Sequence, residues 1–184
     1  MSASQKTRFI IRQATDNDLK ACLALDASVE TDHIWQMQWR EMADGHQIRF
    51  QTMRLPRPTQ VDYPRDTGEL HDDLQTLTGM LVAYAEAGPL LGYAHMMLIP
   101  ADKSAWLRNL VVDRPWRRHR IGRALLAQAK VWARAQGANH LTTEATTKNY
   151  PAIQFMLQQG FIFCGFNDRY YTSQDIAVFF GQNI

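Results

Sequence analysis

Cysteine is scarce: Cys22 and Cys164 are the only two in 184 residues, far apart and without the paired spacing of a zinc site. Neither a disulfide scaffold nor a zinc cluster underlies such a chain, and both thiols are expected to be free and buried. Long apolar runs are missing as well. No stretch approaches the roughly 18 apolar residues of a membrane span, and the opening MSASQKTRFIIRQ has no apolar segment of signal-peptide length. The expectation is a soluble, cytoplasmic protein with no membrane partner. Charge of one sign is also short: 20 Lys and Arg against 18 Asp and Glu leave a net +2, which neither demands nor excludes an anionic partner. Repeats and low-complexity tracts are absent.

What is present is 46% hydrophobic residues, enough for one sizeable core and hence one domain over residues 1–184. Phe9, Ile10 and Ile11 read as a strand, ended by the turn-and-cap sequence from Ala14 to Asp18. From Asp18 to about Glu30, Leu19, Cys22, Leu23 and Leu25 recur near helical spacing; Ile34, Trp35, Met37, Trp39 and Met42 suggest a second amphipathic helix, closed by Gly45. Ile48 to Leu55 alternates as a strand, after which Pro56, Pro58 and Pro64 are expected to forbid regular structure. They open a polar segment to about Gly79 carrying Asp62, Asp66, Glu69, Asp72 and Asp73. Loops of this length are often functional.

Met80 to Ala87 and Gly92 to Ile99 read as two strands of a hairpin turning at Gly88-Pro89, and Ala105 to Val112 as a third. Ile121, Leu125, Leu126, Ala129, Trp132 and Ala133 predict a helix from Ile121 to Gln136, with Gly137 as its left-handed cap. His140 to Thr146 follows as a strand, then a helix from Pro151 to Gln159 capped by Gly160, then strands at Phe161 to Phe166 and Ile176 to Phe180. This order predicts an α/β (α+β) fold: a mixed, mostly antiparallel central sheet with helices on both faces.

The stretch from Asn109 to Leu126 carries the most chemistry. A strand, Leu110-Val111-Val112, runs through the basic turn Arg117-Arg118-His119-Arg120 into a helix whose first positions are Ile121, Gly122, Arg123 and Ala124. The first N–H groups of a helix lack internal partners and carry the positive end of its dipole, so small residues there let a phosphate approach the backbone. Arginine side chains can close over it. Alone, the basic run would read as a solvated face; between a strand and a helix start it reads as an anion cradle.

At these residues the chain resembles the GNAT superfamily of N-acetyltransferases, whose hallmark is Gln/Arg-x-x-Gly-x-Gly/Ala at this turn. Arg117 and Gly122 match its ends, while Arg120 stands where the family has its first glycine. A second match runs from Asn149 to Phe161: Asn149, Ala152, Gly160 and Phe161 fit, and Met156 replaces the family's tyrosine. The tail, from Gly165 through Tyr170-Tyr171 to Phe180, with Glu144 upstream, resembles streptothricin acetyltransferase-type members. The resemblance implies acetyl-CoA as cosubstrate. It implies that Leu110, Val111 and Val112 offer main-chain groups to the donor, that Arg117, Arg118, His119, Arg120, Ile121, Gly122, Arg123 and Ala124 cradle its pyrophosphate, and that Asn149 contacts the pantetheine arm.

Acetyl transfer needs a neutral amine, donors for the developing oxyanion and a proton for the departing sulfur, but no metal. An amine of pKa about 9–10 is mostly protonated at neutral pH, so a base must take its proton. The family's usual acid before the coenzyme turn is missing, since Arg108 and Asn109 stand there. Glu144 on the next strand is a candidate base or else the partner of an arginine; His95 is a candidate through water or else structural. Tyr170 and Tyr171 are candidate acids or else core and substrate wall. The five tryptophans need only packing. The acidic segment is a solvated connection or a wall for a cationic substrate.

The leading expectation is transfer of acetyl to a primary amine of a small molecule, an antibiotic or polyamine. A peptide or protein acetyltransferase and a non-catalytic acyl-CoA-binding module are the alternatives. Nucleic-acid binding through the basic turn is disfavoured by the near-neutral charge, and a homodimer is left open.

Overall fold

The structure, a computed structural model, describes residues 8–64, 78–86 and 88–184. It divides into two compact units, one from Met1–Ala27, Arg65–Thr143 and Gly181–Ile184, the other from Ser28–Pro64 and Glu144–Phe180.

The first unit is built on β1 (Phe9–Gln13), β4 (Thr78–Ala85), β5 (Leu90–Ile99), β6 (Ser104–Val112) and the start of β7 (His140–Thr146), neighbours in that order. β4/β5 and β5/β6 are antiparallel, as the sequence order predicts; β1/β4 is antiparallel too, and β6/β7 is parallel. Helix α2 (Ile121–Ala135) packs on this sheet. Its Ile121, Leu125, Leu126, Ala129 and Ala133 are buried at helical spacing, with Val82, Leu91, Met96 and Leu107 among the buried sheet residues. Gly79 makes room for the helix: a β-carbon there would lie 2.4 Å from the Trp132 ring. Gly137 ends α2 at φ 84°.

The amino-terminal turn is tied by Asp18, which is 3% exposed. Its carboxylate receives both Arg12 nitrogens at 2.7 and 2.8 Å, the Tyr84 hydroxyl at 2.8 Å, and the Thr15 N–H and hydroxyl at 2.8 and 2.9 Å. These bonds, that of Arg12 foremost, hold the carboxyl well below its ordinary range. Helix α1 is only Leu19–Leu23, far shorter than the run to Glu30 expected. Burial pushes its Cys22 thiol up to about 12, so this cysteine is inert at neutral pH.

The second unit corrects two expectations. Residues Val29–Met42 form strand β2, not a helix, and Gly45–Val61 form β3, antiparallel to it. Trp35, Met37 and Trp39 alternate with Gln36, Gln38 and Arg40, a period of two that the helical reading overlooked. Pro56 and Pro58 lie inside β3 because residues 55–58 fall between two ladder registers, where a missing N–H costs no ladder bond. The rest of the unit is the end of β7, α3 (Tyr150–Gln158), β8 (Ile162–Asn167) and β9 (Ala177–Asn183), with β9 between β7 and β8. Trp35 heads its aromatic core, 6.0 Å from Phe50, 5.9 Å from Phe163 and 6.0 Å from Phe180 by ring centroids. Cys164, expected to be buried, is exposed on β8; both thiols are free. Asp66, Glu69, Asp72 and Asp73 lie outside the described residues.

Candidate active site

In the first unit the site grows from β6. The β5/β6 register passes from His95↔Asn109 to Met96↔Leu107, leaving Arg108 as an extra residue, a bulge. Beside it the buried Asn109 amide meets His95 Nδ1 at 3.1 Å. With Asn109 as donor, the His95 ring proton sits on Nε2. The parallel ladder with β7 covers Ser104–Leu107, closed by the Thr143 hydroxyl donating to Leu107 O at 2.9 Å.

Beyond the bulge the strand's alternation decides which main-chain groups are offered. The Asp113 N–H donates to Leu91 O at 2.9 Å, so 113/91 is a hydrogen-bonded pair and 112/92 and 110/94 are not. The N–H and C=O groups of Leu110 and Val112 therefore point away from β5, and those of Val111 toward it.

Asp113 then starts a single 3₁₀ turn, Arg114–Trp116, its carboxylate accepting from Arg114 N at 3.1 Å. The Arg117 guanidinium is half-buried and spent on carbonyls: Nε donates to Val112 O at 2.9 Å and Nη2 to Asp26 O at 2.6 Å, with burial lowering its pKa. It braces the turn. His119 Nδ1 donates to Arg117 O at 2.9 Å, and the Trp116 and His119 rings meet edge to face at 6.0 Å. Arg118 and Arg120 are both left-handed, at φ 68° and 67°. Arg120, at the position of the family's glycine, thus adopts the backbone that glycine favours, and its side chain is exposed. Ala124 N–H, bonded to Arg120 O at 3.0 Å, begins the helical ladder, so the amides of Ile121, Gly122 and Arg123 open the helix without intrahelical partners. Arg118, Arg120 and Arg123 fringe them with exposed guanidinium groups.

In the second unit Glu144 lies half-buried on β7 between buried Thr143 and Ala145. Asn149 caps α3, its Oδ1 accepting from Ala152 N at 3.1 Å. Met156 is buried at 6% exposure; it packs, and donates no proton. Tyr171 is buried and Tyr170 half-buried, their rings 5.0 Å apart, with Tyr170 also 5.2 Å from Phe179. This unit has a cleft of about 400 Å3 walled by Thr59, Asp62, Tyr63, Lys148, Ser173 and Asp175. Lys148 pairs with Asp175 across it. Sequence reasoning missed the pair Asp32 and His33, in contact at 2.7 Å, because it put the following residues on a helix; the alternation from Ile34 to Arg40 was the available signal.

A bulged strand with outward main-chain groups is followed here by a basic turn and open helix amides, an arrangement that suits an anionic ligand. The chain belongs to the acetyltransferase (GNAT) family, whose sequence profile matches residues 34–161, and acetyl-CoA is its cosubstrate. Within that family it is similar to the streptothricin acetyltransferase of Streptomyces lavendulae, 29% identical over 180 residues that cover 93% of this chain and 90% of the relative. A crystal structure of nourseothricin acetyltransferase superposes with a TM-score of 0.82 at 26% identity, covering 96% of this chain and 99% of that one. A candidate streptothricin acetyltransferase from Bacillus anthracis str. Ames, in complex with acetyl coenzyme A, shares the fold at TM-score 0.78 and 20% identity, over 96% and 100% of the two chains.

Proposed function

We propose that the protein is a single acetyltransferase domain over residues 1–184 that moves the acetyl group of acetyl-CoA directly to a primary amine of a small, polar, cationic molecule, a streptothricin-type antibiotic or a polyamine. For the donor, the supporting observation is the helix start at Ile121, Gly122 and Arg123, fringed by Arg118 and Arg120. Those amides and guanidinium groups suit a diphosphate. The outward main-chain groups of Leu110 and the N–H of Val112 suit the amide-bearing arm behind it, with Asn149 as a further contact. When bound, the thioester supplies an activated acetyl carbon; the chain's own work is to hold it and to manage protons.

For the acceptor, the support is the cleft of the second unit. Asp62 brings to it a carboxylate with no ion partner among the described residues, beside hydroxyls of Thr59, Tyr63 and Ser173. Such a lining favours a hydroxylated cation over an apolar peptide side chain. The test is thiol release from acetyl-CoA against streptothricin, spermidine and an alanine-terminated peptide in parallel. Turnover on a small amine with none on the peptide is expected. The reverse order would move the protein to the peptide acetyltransferases, and acetyl-CoA binding with no turnover on any amine would make it an acyl-CoA-binding module.

A further inference from the structure

In the second unit, the Thr147 N–H donates to Ile176 O at 3.0 Å and joins the loop after β7 to the residue just before β9. Lys148, one step on from Thr147, and Asp175, one step back from Ile176, are thereby brought side by side. Their side chains meet as an ion pair in the cleft, Nζ to Oδ1 at 2.5 Å. The backbone on the lysine side is fixed without that pair. Trp35 N–H donates to Thr147 O at 2.9 Å, Asn149 N–H to Thr146 O at 3.0 Å and Tyr150 N–H to Lys148 O at 3.0 Å.

The two partners are unequally covered: the Asp175 side chain is 19% exposed and that of Lys148 55%. A carboxylate so covered needs a cation beside it, whereas a lysine half in water loses little by swinging away on its flexible stem. The cleft thus has a place for a primary ammonium, and in the free protein the chain's own lysine fills it. Asp62, exposed and without an ion partner among the described residues, is the other charged group of the lining. Two carboxylates against one ammonium leave one net negative charge in a volume of about 400 Å3, within the range of small-molecule sites.

We propose that Asp175 binds a non-reacting ammonium of the acceptor, and that Lys148, its occupant in the free protein, sets a preference for acceptors with a second positive charge. The inference rests on the reading of this cleft as the acceptor site. An acceptor with two amines can leave one protonated to take Asp175 from Lys148 while the other, whichever nitrogen it is, reacts as the neutral amine. A monoamine cannot do both. Its one nitrogen must be neutral to attack, and a neutral amine does not displace an ammonium from a carboxylate.

The test uses the full chain with acetyl-CoA and compares putrescine with aminobutanol, in which a hydroxyl replaces one amine. The wild type is expected to favour putrescine in kcat/KM, and Asp175→Asn to shrink that preference about 3- to 10-fold, mostly through KM. Lys148→Met keeps the apolar stem without the charge and should sharpen the preference about 2- to 5-fold, an effect of opposite sign. In the double variant, Lys148→Met adds nothing to Asp175→Asn, because the lysine competes only at that carboxylate. An ion pair that is merely structural moves both variants in one direction on both amines, and that result overturns the inference, as does an unaltered preference. Calorimetry of spermidine with coenzyme A present reads the same subsite without turnover: binding is expected to be weaker in Asp175→Asn and tighter in Lys148→Met. Those shifts with no turnover on any amine overturn the acetyltransferase reading while upholding the ammonium subsite. Turnover on small amines with spermidine affinity absent, or equal in all three proteins, overturns the subsite alone.

Discussion

In the first unit the groups proposed for the ligand are main-chain atoms: the outward edge of Leu110, the Val112 N–H and the amides of Ile121, Gly122 and Arg123. In the second the candidate groups are side chains, the carboxylates and hydroxyls of the cleft. Main-chain recognition depends on backbone path and on small size near the ligand, so it tolerates Arg120 in place of glycine, provided the residue enters the left-handed region. Side-chain chemistry tolerates no such exchange. Met156 at the family's tyrosine position cannot do a phenol's work, and proton handling must then move to another side chain.

Four substitutions would break or sharpen this contrast. Trp35→Ala removes the centre of the aromatic cluster with Phe50, Phe163 and Phe180 and should cost about 3 kcal/mol in chemical denaturation. Coenzyme affinity of the folded variant should hold; a matching loss of affinity would show that the two kinds of site are not separable. Gly122→Glu brings bulk and negative charge to the helix start and should weaken acetyl-CoA about 100-fold by calorimetry, or about 2.7 kcal/mol. Unchanged affinity would remove the main-chain cradle.

Asp18→Ala tests the knot beneath the first unit and should cost about 2 kcal/mol at pH 7. Because the Asp18 carboxyl titrates below its ordinary value, its contribution is fully present above about pH 4 and fades as pH falls toward the folded value. The wild type and variant should therefore converge in acid, and parallel stability curves down to pH 2 would contradict the assignment. The smallest effect is expected of Arg120→Gly. It relieves a left-handed residue and should raise stability by about 1 kcal/mol or less, while altering coenzyme affinity only slightly, since the amide remains. A large fall in affinity would mean that the Arg120 guanidinium, rather than the backbone, grips the ligand.

Apart from α1, which stops at Leu23 rather than near Glu30, the helices and strands that follow residue 78 were legible residue by residue. Ile121, Leu125, Leu126, Ala129 and Ala133 have one periodicity only, and Gly137 stops the helix they make. Strand β7 was read with its observed limits, and α3 within one residue at each end. The β2/β3 hairpin was not legible in this way. Trp35, Trp39 and Met42 lie at i, i+4 and i+7 of a helix, while Trp35, Met37 and Trp39 lie at i, i+2 and i+4 of a strand. Local spacing alone leaves the two in competition, and the prolines of β3 argued against a strand that a bulge in fact accommodates. The basic turn was read from its letters as an anion cradle, yet the role of Arg117 as a brace bonded to Val112 O and Asp26 O depends on a residue 91 positions away.

The chain's own order of residues determined the three antiparallel strands, the amphipathic helix behind the basic turn and the amides at its start, because each follows from contacts between near neighbours. Only tertiary structure decided that residues 29–61 pair as a hairpin, which edge of β6 faces away from β5, and that Asp32 and His33 are hydrogen-bonded. Those outcomes depend on which distant partner supplies the missing hydrogen bonds and apolar cover, and no local pattern names that partner.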